Sequence, residues 1–347
     1  MSAEFDLIAA IRARAAALAD ARGDVALGIG DDAALLAPPA GRQLVVATDT
    51  LNRGVHFADD AAAGDIGWKS LAVNLSDLAA MGAEPAWCTL SLSLPDGDAR
   101  ARAAFVEGFA DGFLELAARH RVALVGGDTT RGPLSVCVTA IGFVEPGWAL
   151  RRDAAGVGDE IWVTGTLGDA GAALALDGIE GYRDFAVRRI DGAGAGAGVD
   201  NERDAASAWL YRRLRRPQPR VAAGRALRGL ARAGIDVSDG LLADLGHVCA
   251  ASGVGACLDA AALPASPALL AACAADVRRA LQLGGGDDYE LCFTAPARQR
   301  DSIARALAAA DTPAAVIGRI DAESGVRVRL PDGAMWAPPR RGYQHFG

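Results

Sequence analysis

Apolar residues recur along the first half of the chain at spacings that indicate its helices and strands. Steps of three and four residues, as between Leu71, Leu75 and Leu78, put apolar side chains on one helix face. Such steps predict helices over about 4–21, 61–82 and 100–119. Short apolar runs between polar turns predict strands at 43–48, 89–94, 122–125 and 136–144. Strands that alternate with helices are typical of an α/β domain, and this one is expected to end near residue 148.

The pattern restarts after Gly147 and predicts a second domain over 149–347, following a first domain over 1–148. Strands are predicted at 160–164, before Val237, and at 254–258, 290–294, 314–320 and 325–330. Helical spacing covers 169–176, 203–233, 241–251, 267–281 and 297–310. Residues 192–198 alternate Gly and Ala, which gives them nothing to pack and predicts a mobile surface loop.

Composition and charge exclude several classes of protein. The chain is 51% hydrophobic and 22% charged, which supplies a sizeable core and argues against disorder. Its formal net charge of −8 argues against a nucleic-acid partner, since binding phosphates in nucleic acid needs a cationic surface. No apolar run approaches the roughly 20 residues that span a bilayer, so no membrane partner is expected. The first residues mix acids and arginines with apolar residues, which favours an amphipathic helix over a secretory signal.

Cysteine and histidine placement predicts a reduced, cytoplasmic protein without a dedicated zinc site. The six cysteines are scattered and form no C-x-x-C pair, and the four histidines lie far apart in sequence.

Two common nucleotide-binding motifs do not fit the sequence. Lys69 is the only lysine, and Trp68 before it stands where a phosphate-binding P-loop needs glycine. Residues 28–33 match a loose dinucleotide-binding pattern, but Pro38-Pro39 leaves no room for its helix.

Short clusters of Gly, Asp, Ser and Thr stand at predicted strand ends and helix starts. They are Gly30-Asp31-Asp32, Thr48-Asp49-Thr50, Ser76-Asp77, Gly126-Gly127-Asp128-Thr129-Thr130, Asp236-Val237-Ser238-Asp239-Gly240 and Gly284-Gly285-Gly286-Asp287-Asp288-Tyr289-Glu290. Each alone is ordinary turn or cap chemistry. Together they offer the hard oxygens that Mg²⁺ prefers and glycines that let backbone N–H groups approach phosphates. They therefore predict several Mg²⁺ ions that bridge aspartates and a polyphosphate.

Asp77 differs from the other acidic residues because it falls inside a predicted helix. Aspartate is a poor residue for a helix interior, and an unpaired buried carboxylate costs several kcal/mol. We therefore expect a cationic group to face Asp77.

Seven ordered blocks of sequence resemble the thiamine-monophosphate kinase family, within the superfamily of aminoimidazole ribonucleotide synthetase. The blocks are LGIGDDAALL (27–36), ATDTL (47–51), LAVNLSDLAAMGAEP (71–85), LVGGDTTRGP (124–133), IDVSDGLLADLGH (235–247), GGGDDYELCFT (284–294) and GYQHF (342–346). The resemblance implies a fold of two α+β domains. It also implies transfer of the ATP γ-phosphate onto thiamine monophosphate, giving thiamine diphosphate and ADP. Relatives of this kind usually pair through their N-terminal domains, which implies a homodimer with ATP at or near its interface.

The resemblance also implies roles for individual residues. The implied Mg²⁺ ligands are Asp32, Thr48, Asp49, Asp77, Asp128, Asp236 and Asp239, of which Asp77, Asp49 and Asp128 would be catalytic. The implied ATP contacts are Gly127, Asp128, Arg152 and Ser238. The implied thiamine-side contacts are His56, Asp287 and Tyr343, the last on a C-terminal tail expected to cover the substrate. A guanidinium such as Arg152 suits a phosphate, although the side chain could equally be a solvated part of Arg151-Arg152-Asp153.

The chain departs from the family pattern at three places. Asp287 stands where glutamate is common, Ala47 where Ser or Thr is usual, and 192–198 is an insertion. None of these changes removes a central metal ligand.

Other activities of the superfamily and of other protein classes remain as alternatives. A selenophosphate synthetase would need an N-terminal Cys and Lys, yet no Cys precedes Cys88 and no Lys precedes Lys69. A purine cyclo-ligase would lack the GYQHF-like ending. A catalytically inactive nucleotide-binding module and a structural interaction protein are the alternatives outside enzymes, and the intact acidic clusters argue against both.

Overall fold

The computed structural model describes residues 3–189, 200–337 and 342–343, and the predicted Gly-Ala loop at 192–198 lies outside them. The chain divides into two compact units. The N-terminal unit comprises Met1–Leu78 and Gly82–Ala149, and the C-terminal unit comprises Ala79–Met81 and Leu150–Gly347. None of the described helices is both long and apolar enough to cross a membrane.

The N-terminal unit is a mixed sheet covered by helices. Its helices are α1 (Ala3–Asp20), α2 (Ala63–Ala80) and α3 (Ala99–His120), and its strands are β1 (Val25–Leu27), β2 (Leu35–Leu36), β3 (Gln43–Asn52), β4 (Glu84–Leu94), β5 (Ala123–Arg131) and β6 (Ser135–Val144). Four strands form one sheet in the order β3-β6-β4-β5, while β1 pairs with β2. Only β4 and β5 run parallel, since β6 enters antiparallel to both of its neighbours. The unit is therefore α+β, as the resemblance implied. The α/β domain predicted from alternating strands and helices was wrong, because alternation along the chain does not fix strand direction.

Local sequence signals account for the two helices that support this sheet. The N-cap Asp98 accepts a hydrogen bond from the Ala101 N–H at 2.8 Å and starts α3. Phe109 and Phe113 of α3 stack with ring centroids 5.8 Å apart on the predicted apolar stripe. In α2, Leu71 and Leu75 are fully buried, so the face that carries them packs into the core of the unit. This packing fixes which way the polar positions of α2 point.

The C-terminal unit is built on a seven-stranded sheet. Its helices are α4 (Asp169–Leu176), α5 (Asp200–Arg215), α6 (Val221–Ala226), α7 (Leu241–Ser252), α8 (Pro267–Ala272), α9 (Ala275–Gly284) and α10 (Arg300–Ala309). Its strands are β7 (Glu160–Thr164), β8 (Ala233–Asp236), β9 (Gly255–Asp259), β10 (Leu291–Ala295), β11 (Ala314–Asp321), β12 (Gly325–Arg329) and β13 (Met335–Trp336). The strand order is β13-β12-β9-β11-β7-β10-β8, and β12 with β9 is its parallel pair.

Two predicted helices of the C-terminal unit are broken in the structure. The helical pattern at 203–233 forms α5 and α6, separated by a segment that holds Pro217 and Pro219. Proline has no N–H and its ring clashes with a preceding turn, so it ends the first helix. The pattern at 267–281 likewise forms α8 and α9, with Cys273 in extended conformation between them. Apolar spacing alone did not reveal either break.

Candidate active site

Two carboxyl groups meet in the N-terminal unit, one from β3 and one from α2. Asp49 lies in the middle of β3, and its side chain shares a hydrogen bond with Asp77 of α2. Both side chains are half-buried. Burial raises the pKa of Asp49, and the hydrogen bond with Asp77 offsets only part of that increase. Two ionised carboxylates in contact repel each other, and a shared proton or a cation relieves that repulsion.

The structure does not bring Asp128 to this pair within one chain. Asp49 is in register with Val138 of β6, which is in register with Leu90 of β4, and Leu90 faces Gly127 of β5. Asp128 is therefore one row farther along and three strand spacings away, roughly 14 Å across the sheet. Asp128 is paired across the sheet with the exposed Ser91, whereas Asp49 is in register with the buried Val138 and Leu90. Successive rows point to opposite faces, so Asp49 and Asp128 lie on different faces and edges of the sheet.

Thr48 and Asp32 are both exposed and lie outside the acidic pair. The Thr48 hydroxyl is hydrogen-bonded to the Thr139 hydroxyl, its cross-strand partner on β6. Asp32 lies in the turn after β1, where its N–H donates to the Asp31 carboxylate at 2.8 Å. Both side chains are open to solvent in this unit, so a ligand or another chain could approach them.

His56 is held in one tautomer by the backbone next to β3. The Asn52 N–H donates to His56 Nδ1 at 3.0 Å. Because Nδ1 is an acceptor, the neutral ring carries its proton on Nε2 and can donate it. The Lys69 ammonium donates to the His56 carbonyl at 3.1 Å, although Lys69 is only 4% exposed. A buried lysine that holds this segment is a role that the sequence did not reveal.

A tight loop between β8 and α7 carries Ser238 and Asp239 in the C-terminal unit. The backbone N–H groups of Ser238, Asp239 and Gly240 all donate to Asp244 Oδ2, at 3.1, 3.2 and 3.1 Å. Burial together with the nearby carboxylates of Asp236 and Asp239 raises the pKa of Asp244 to about 8. Asp244 is thus the residue that shapes this loop, from the first turn of α7.

The same loop gathers the two thiamine-side residues predicted for this unit. The Asp287 N–H donates to the Ser238 carbonyl at 2.8 Å, and the Tyr343 N–H donates to the Asp239 carbonyl at 2.9 Å. Ser238, Asp239, Asp287 and Tyr343 are all half-buried. The structure therefore brings together four of the predicted residues that are scattered over 106 positions of sequence, from 238 to 343.

Arg152 lies in a short 3-10 turn in the C-terminal unit, with its side chain exposed. Its neighbour Arg151 donates to Asp153 at 2.8 Å, so Asp153 is already engaged. Among the described residues no acidic side chain pairs with the Arg152 guanidinium. The Arg152 guanidinium is therefore exposed and lies outside the Arg151–Asp153 ion pair.

The predicted metal ligands divide between the two units. Across residues 3–189, 200–337 and 342–343, no three His, Cys, Asp or Glu side chains lie close enough together to hold a metal ion. The Asp49–Asp77 pair nevertheless fits a divalent cation, because one such ion neutralises the charge of two desolvated carboxylates in contact. A neighbour that the structure gives Asp77 is this second carboxyl group.

The sequence missed two residues that shape this chemistry. Asp244 is the fourth residue after the Ser-Asp-Gly turn, one position beyond the N3 carboxylate of a capping box, so the capping pattern did not mark it. Tyr289 carried no signal either, because its contact with Asp287 depends on backbone angles that the sequence pattern does not specify.

Comparisons with known proteins agree with the motif blocks. The family model "AIR synthase related protein, N-terminal domain" matches residues 30–144, and the corresponding C-terminal domain model matches residues 156–331. A curated thiamine-monophosphate kinase from Escherichia coli (strain K12) is 44% identical over 343 residues, covering 99% of this chain and 98% of the relative. The chain belongs to the thiamine-monophosphate kinase family.

The fold of this family member is also similar to solved structures. The thiamine-monophosphate kinase from Stenotrophomonas maltophilia K279a is 54% identical, with a TM-score of 0.81 and coverage of 92% of this chain and 95% of that chain. A structure of AaThiL complexed with AMPPCP and TMP is 29% identical, with a TM-score of 0.72 and coverage of 99% and 97%. The two-domain α+β expectation for this thiamine-monophosphate kinase family member is confirmed.

Proposed function

We propose that this chain transfers the γ-phosphate of ATP onto the phosphate of thiamine monophosphate, giving thiamine diphosphate and ADP. The observation that carries this proposal is 44% identity to a curated thiamine-monophosphate kinase over 99% of the chain. The solved relative with AMPPCP and TMP supports the same pair of substrates. Thiamine diphosphate formation places the chain at the last step of thiamine diphosphate biosynthesis.

Several Mg²⁺ ions are part of this proposal, held by Asp32, Thr48, Asp49, Asp77, Asp128, Asp236 and Asp239. The Asp49–Asp77 contact supports it, since a cation relieves the repulsion between two half-buried carboxylates. Mg²⁺ held by these residues would supply neutralisation of the phosphate charge. The carboxylates in turn set where the phosphates of ATP can lie.

The remaining residues bind and orient the two substrates. Arg152 is positioned to pair with an anion, and Gly127 and Ser238 would let ATP approach backbone and hydroxyl groups closely. His56 can donate a hydrogen bond from Nε2 to a phosphate oxygen, because Asn52 occupies Nδ1. Asp287 and Tyr343 offer a carboxylate and an aromatic ring to the cationic and aromatic rings of thiamine. Catalysis in such a site comes from positioning and charge neutralisation.

We further propose that the active form is a cytoplasmic homodimer. β3 and β5 are the two edges of the N-terminal sheet, and Leu44 and Val46 of β3 are 52% and 59% exposed on its open face. An apolar, unpaired edge of this kind favours pairing with a second chain. Docking β3 beside the partner's β5 would bring Thr48, which lies on the same face of the sheet as Asp128, near Asp128 of the partner subunit. All six cysteines are free thiols, which supports a reducing compartment.

The direct test is product formation from defined substrates. Purified protein with ATP and Mg²⁺ should release ADP only when thiamine monophosphate is present, and thiamine diphosphate should accumulate in equal amount. Thiamine and aminoimidazole precursors serve as substrate controls, and EDTA as the metal control. ADP release with an aminoimidazole precursor instead, or no release with any substrate, would contradict the proposal.

A further inference from the structure

The segment Gly284–Glu290 carries the proposed substrate residue Asp287 in an unusual backbone conformation. Asp287 and Tyr289 have φ angles of 65° and 49°, in the left-handed region that residues with side chains rarely occupy. Backbone hydrogen bonds hold this conformation. The Asp287 N–H donates to the Ser238 carbonyl and the Tyr289 N–H to the Val237 carbonyl, both at 2.8 Å. The segment is thereby fixed to the loop that precedes α7.

Alternate residues of this segment are anchored in the protein interior. Both carboxylate oxygens of Asp288 accept from the Gly168 N–H, at 3.0 and 2.8 Å. The fully buried Glu290 pairs with Arg213 at 2.8 Å and with Arg220. Burial alone would raise the pKa of Glu290, but the two guanidinium groups outweigh it and hold that pKa below its ordinary value. These contacts make the base of the segment rigid.

Asp287 and Tyr289, the residues on either side of Asp288, contact each other. The Tyr289 hydroxyl donates to Asp287 Oδ1 at 3.0 Å. Tyr289 is 9% exposed, so water has little access to replace this hydrogen bond, while Asp287 is half-buried beside Ser238. Hydrogen bonds to an ionised acceptor are among the stronger ones in proteins. The hydroxyl therefore fixes the orientation of the carboxylate.

We propose that Tyr289 is a positioning residue for the thiamine-side substrate, which acts by orienting the Asp287 carboxylate. This inference rests on the proposed function. Aspartate is one methylene shorter than the glutamate expected at this position, so its carboxylate reaches less far and its direction matters more. Tyr289 supplies that direction from a rigid base, without itself needing to touch the substrate.

The test removes only the hydroxyl. Tyr289→Phe should raise the KM for thiamine monophosphate about 5- to 10-fold, the loss of one hydrogen bond to a charged group. The KM for ATP and kcat should stay within about twofold, because nothing that binds phosphate changes. A merely structural role would instead lower kcat or the melting temperature and leave the ratio of the two KM values unchanged. That outcome, an unfolded variant, or no change at all would overturn the proposal.

Two further variants test whether Tyr289 acts through Asp287. Tyr211→Phe removes a hydroxyl that donates to Asp177 at 2.7 Å elsewhere in the same unit, and it should behave as wild type. In an Asp287→Ala background, Tyr289→Phe should have no further effect on the KM for thiamine monophosphate, because its target is gone. Additive effects would show that Tyr289 acts elsewhere.

Assays of the wild-type protein distinguish failure of this inference from failure of the proposed function. If it forms thiamine diphosphate and Tyr289→Phe leaves the KM for thiamine monophosphate unchanged, the inference alone fails. If the wild-type protein forms no thiamine diphosphate, the proposed function and the inference fail together.

Discussion

At the scale of single residues, the contact between Asp49 and Asp77 dominates the candidate site. Asp77 stands inside α2, where aspartate is unfavourable, and its side chain meets a second carboxyl group on β3. A protein that needed only stability would gain from an amide at either position, because an amide removes the repulsion. Retaining two acids here therefore points to a function for their charge.

Asp77→Asn should separate this function from folding. Asparagine has nearly the same volume and can still hydrogen-bond Asp49, so the melting temperature should stay the same or rise. The rate should fall at least about 100-fold, since one charged ligand to the proposed cation is lost. Asp60→Asn, at an exposed carboxylate before α2, is the control and should keep wild-type kcat. Near-normal turnover of Asp77→Asn at saturating Mg²⁺ would contradict the assignment.

At the scale of elements, the junction of β8 and α7 is organised by one carboxylate. Asp244 Oδ2 accepts three backbone N–H groups, and those three residues lead into α7. A Gly240 φ of 117° lets the chain turn sharply enough for all three to converge. Ser238 and Asp239 are displayed as a consequence of this turn.

Asp244→Ala should release that turn. Three N–H groups lose their acceptor, which we expect to cost roughly 1–3 kcal/mol of stability and to raise the KM for ATP about tenfold. Asp244→Asn is the matched variant, because its amide oxygen can still accept from the same N–H groups, and it should retain most of the activity. Thermal unfolding and ATP titrations of both variants give the comparison. Equal losses in the two variants would show that charge, not hydrogen bonding, is what matters at this position.

A second element-scale feature is the close approach of β5 to β4. A Cβ atom on Gly127 would lie 1.9 Å from the Leu90 carbonyl oxygen, and its φ is 153°. Gly127→Ala should therefore push the strands apart and cost roughly 2–4 kcal/mol of stability. A Cβ on Gly126 would meet Thr89 at 4.0 Å, so Gly126→Ala should change stability by less than about 0.5 kcal/mol. Comparable melting temperatures for the two variants would refute this account.

At the scale of the whole molecule, the N-terminal sheet leaves its proposed ligands at opposite edges. Thr48 lies on β3 at one edge and Asp128 on β5 at the other, on the same face of the sheet. A twofold dimer that joins β3 to the partner's β5 would make two composite sites, each with Thr48 from one chain and Asp128 of the partner subunit.

Mixing inactive variants tests this arrangement. Thr48→Ala and Asp128→Asn should each lose most activity alone, but their heterodimer would contain one intact site. After subunit exchange, a random mixture should recover about a quarter of wild-type activity, since half of the dimers are mixed and each has one working site. Mixing Thr48→Ala with Asp77→Asn is the control and should recover nothing, because in this arrangement both residues come from the same chain. No recovery in the first mixture would place Asp128 outside a shared site.

Much of the fold was predictable because it follows from local periodicity. The strand at Glu160–Thr164 was predicted with the observed bounds, and the next helix was predicted to begin at Asp169, as it does. The two-residue strands β2 and β13 were missed, since two residues show no period. The helix over 203–233 was predicted too long, because apolar spacing continues across Pro217 although the backbone cannot.

The two-domain α+β class, the family and the residue types of the site could be predicted from the ordered motif blocks. The fold then established which of these residues meet. It joined Asp49 to Asp77, set Asp287 and Tyr343 beside the Ser238 loop, and kept Asp128 away from Asp49. It also assigned Asp244 and Tyr289 their contacts. Periodicity fixes which face of a helix or strand a side chain occupies. Strand order, register and loop backbone angles decide what lies opposite that face.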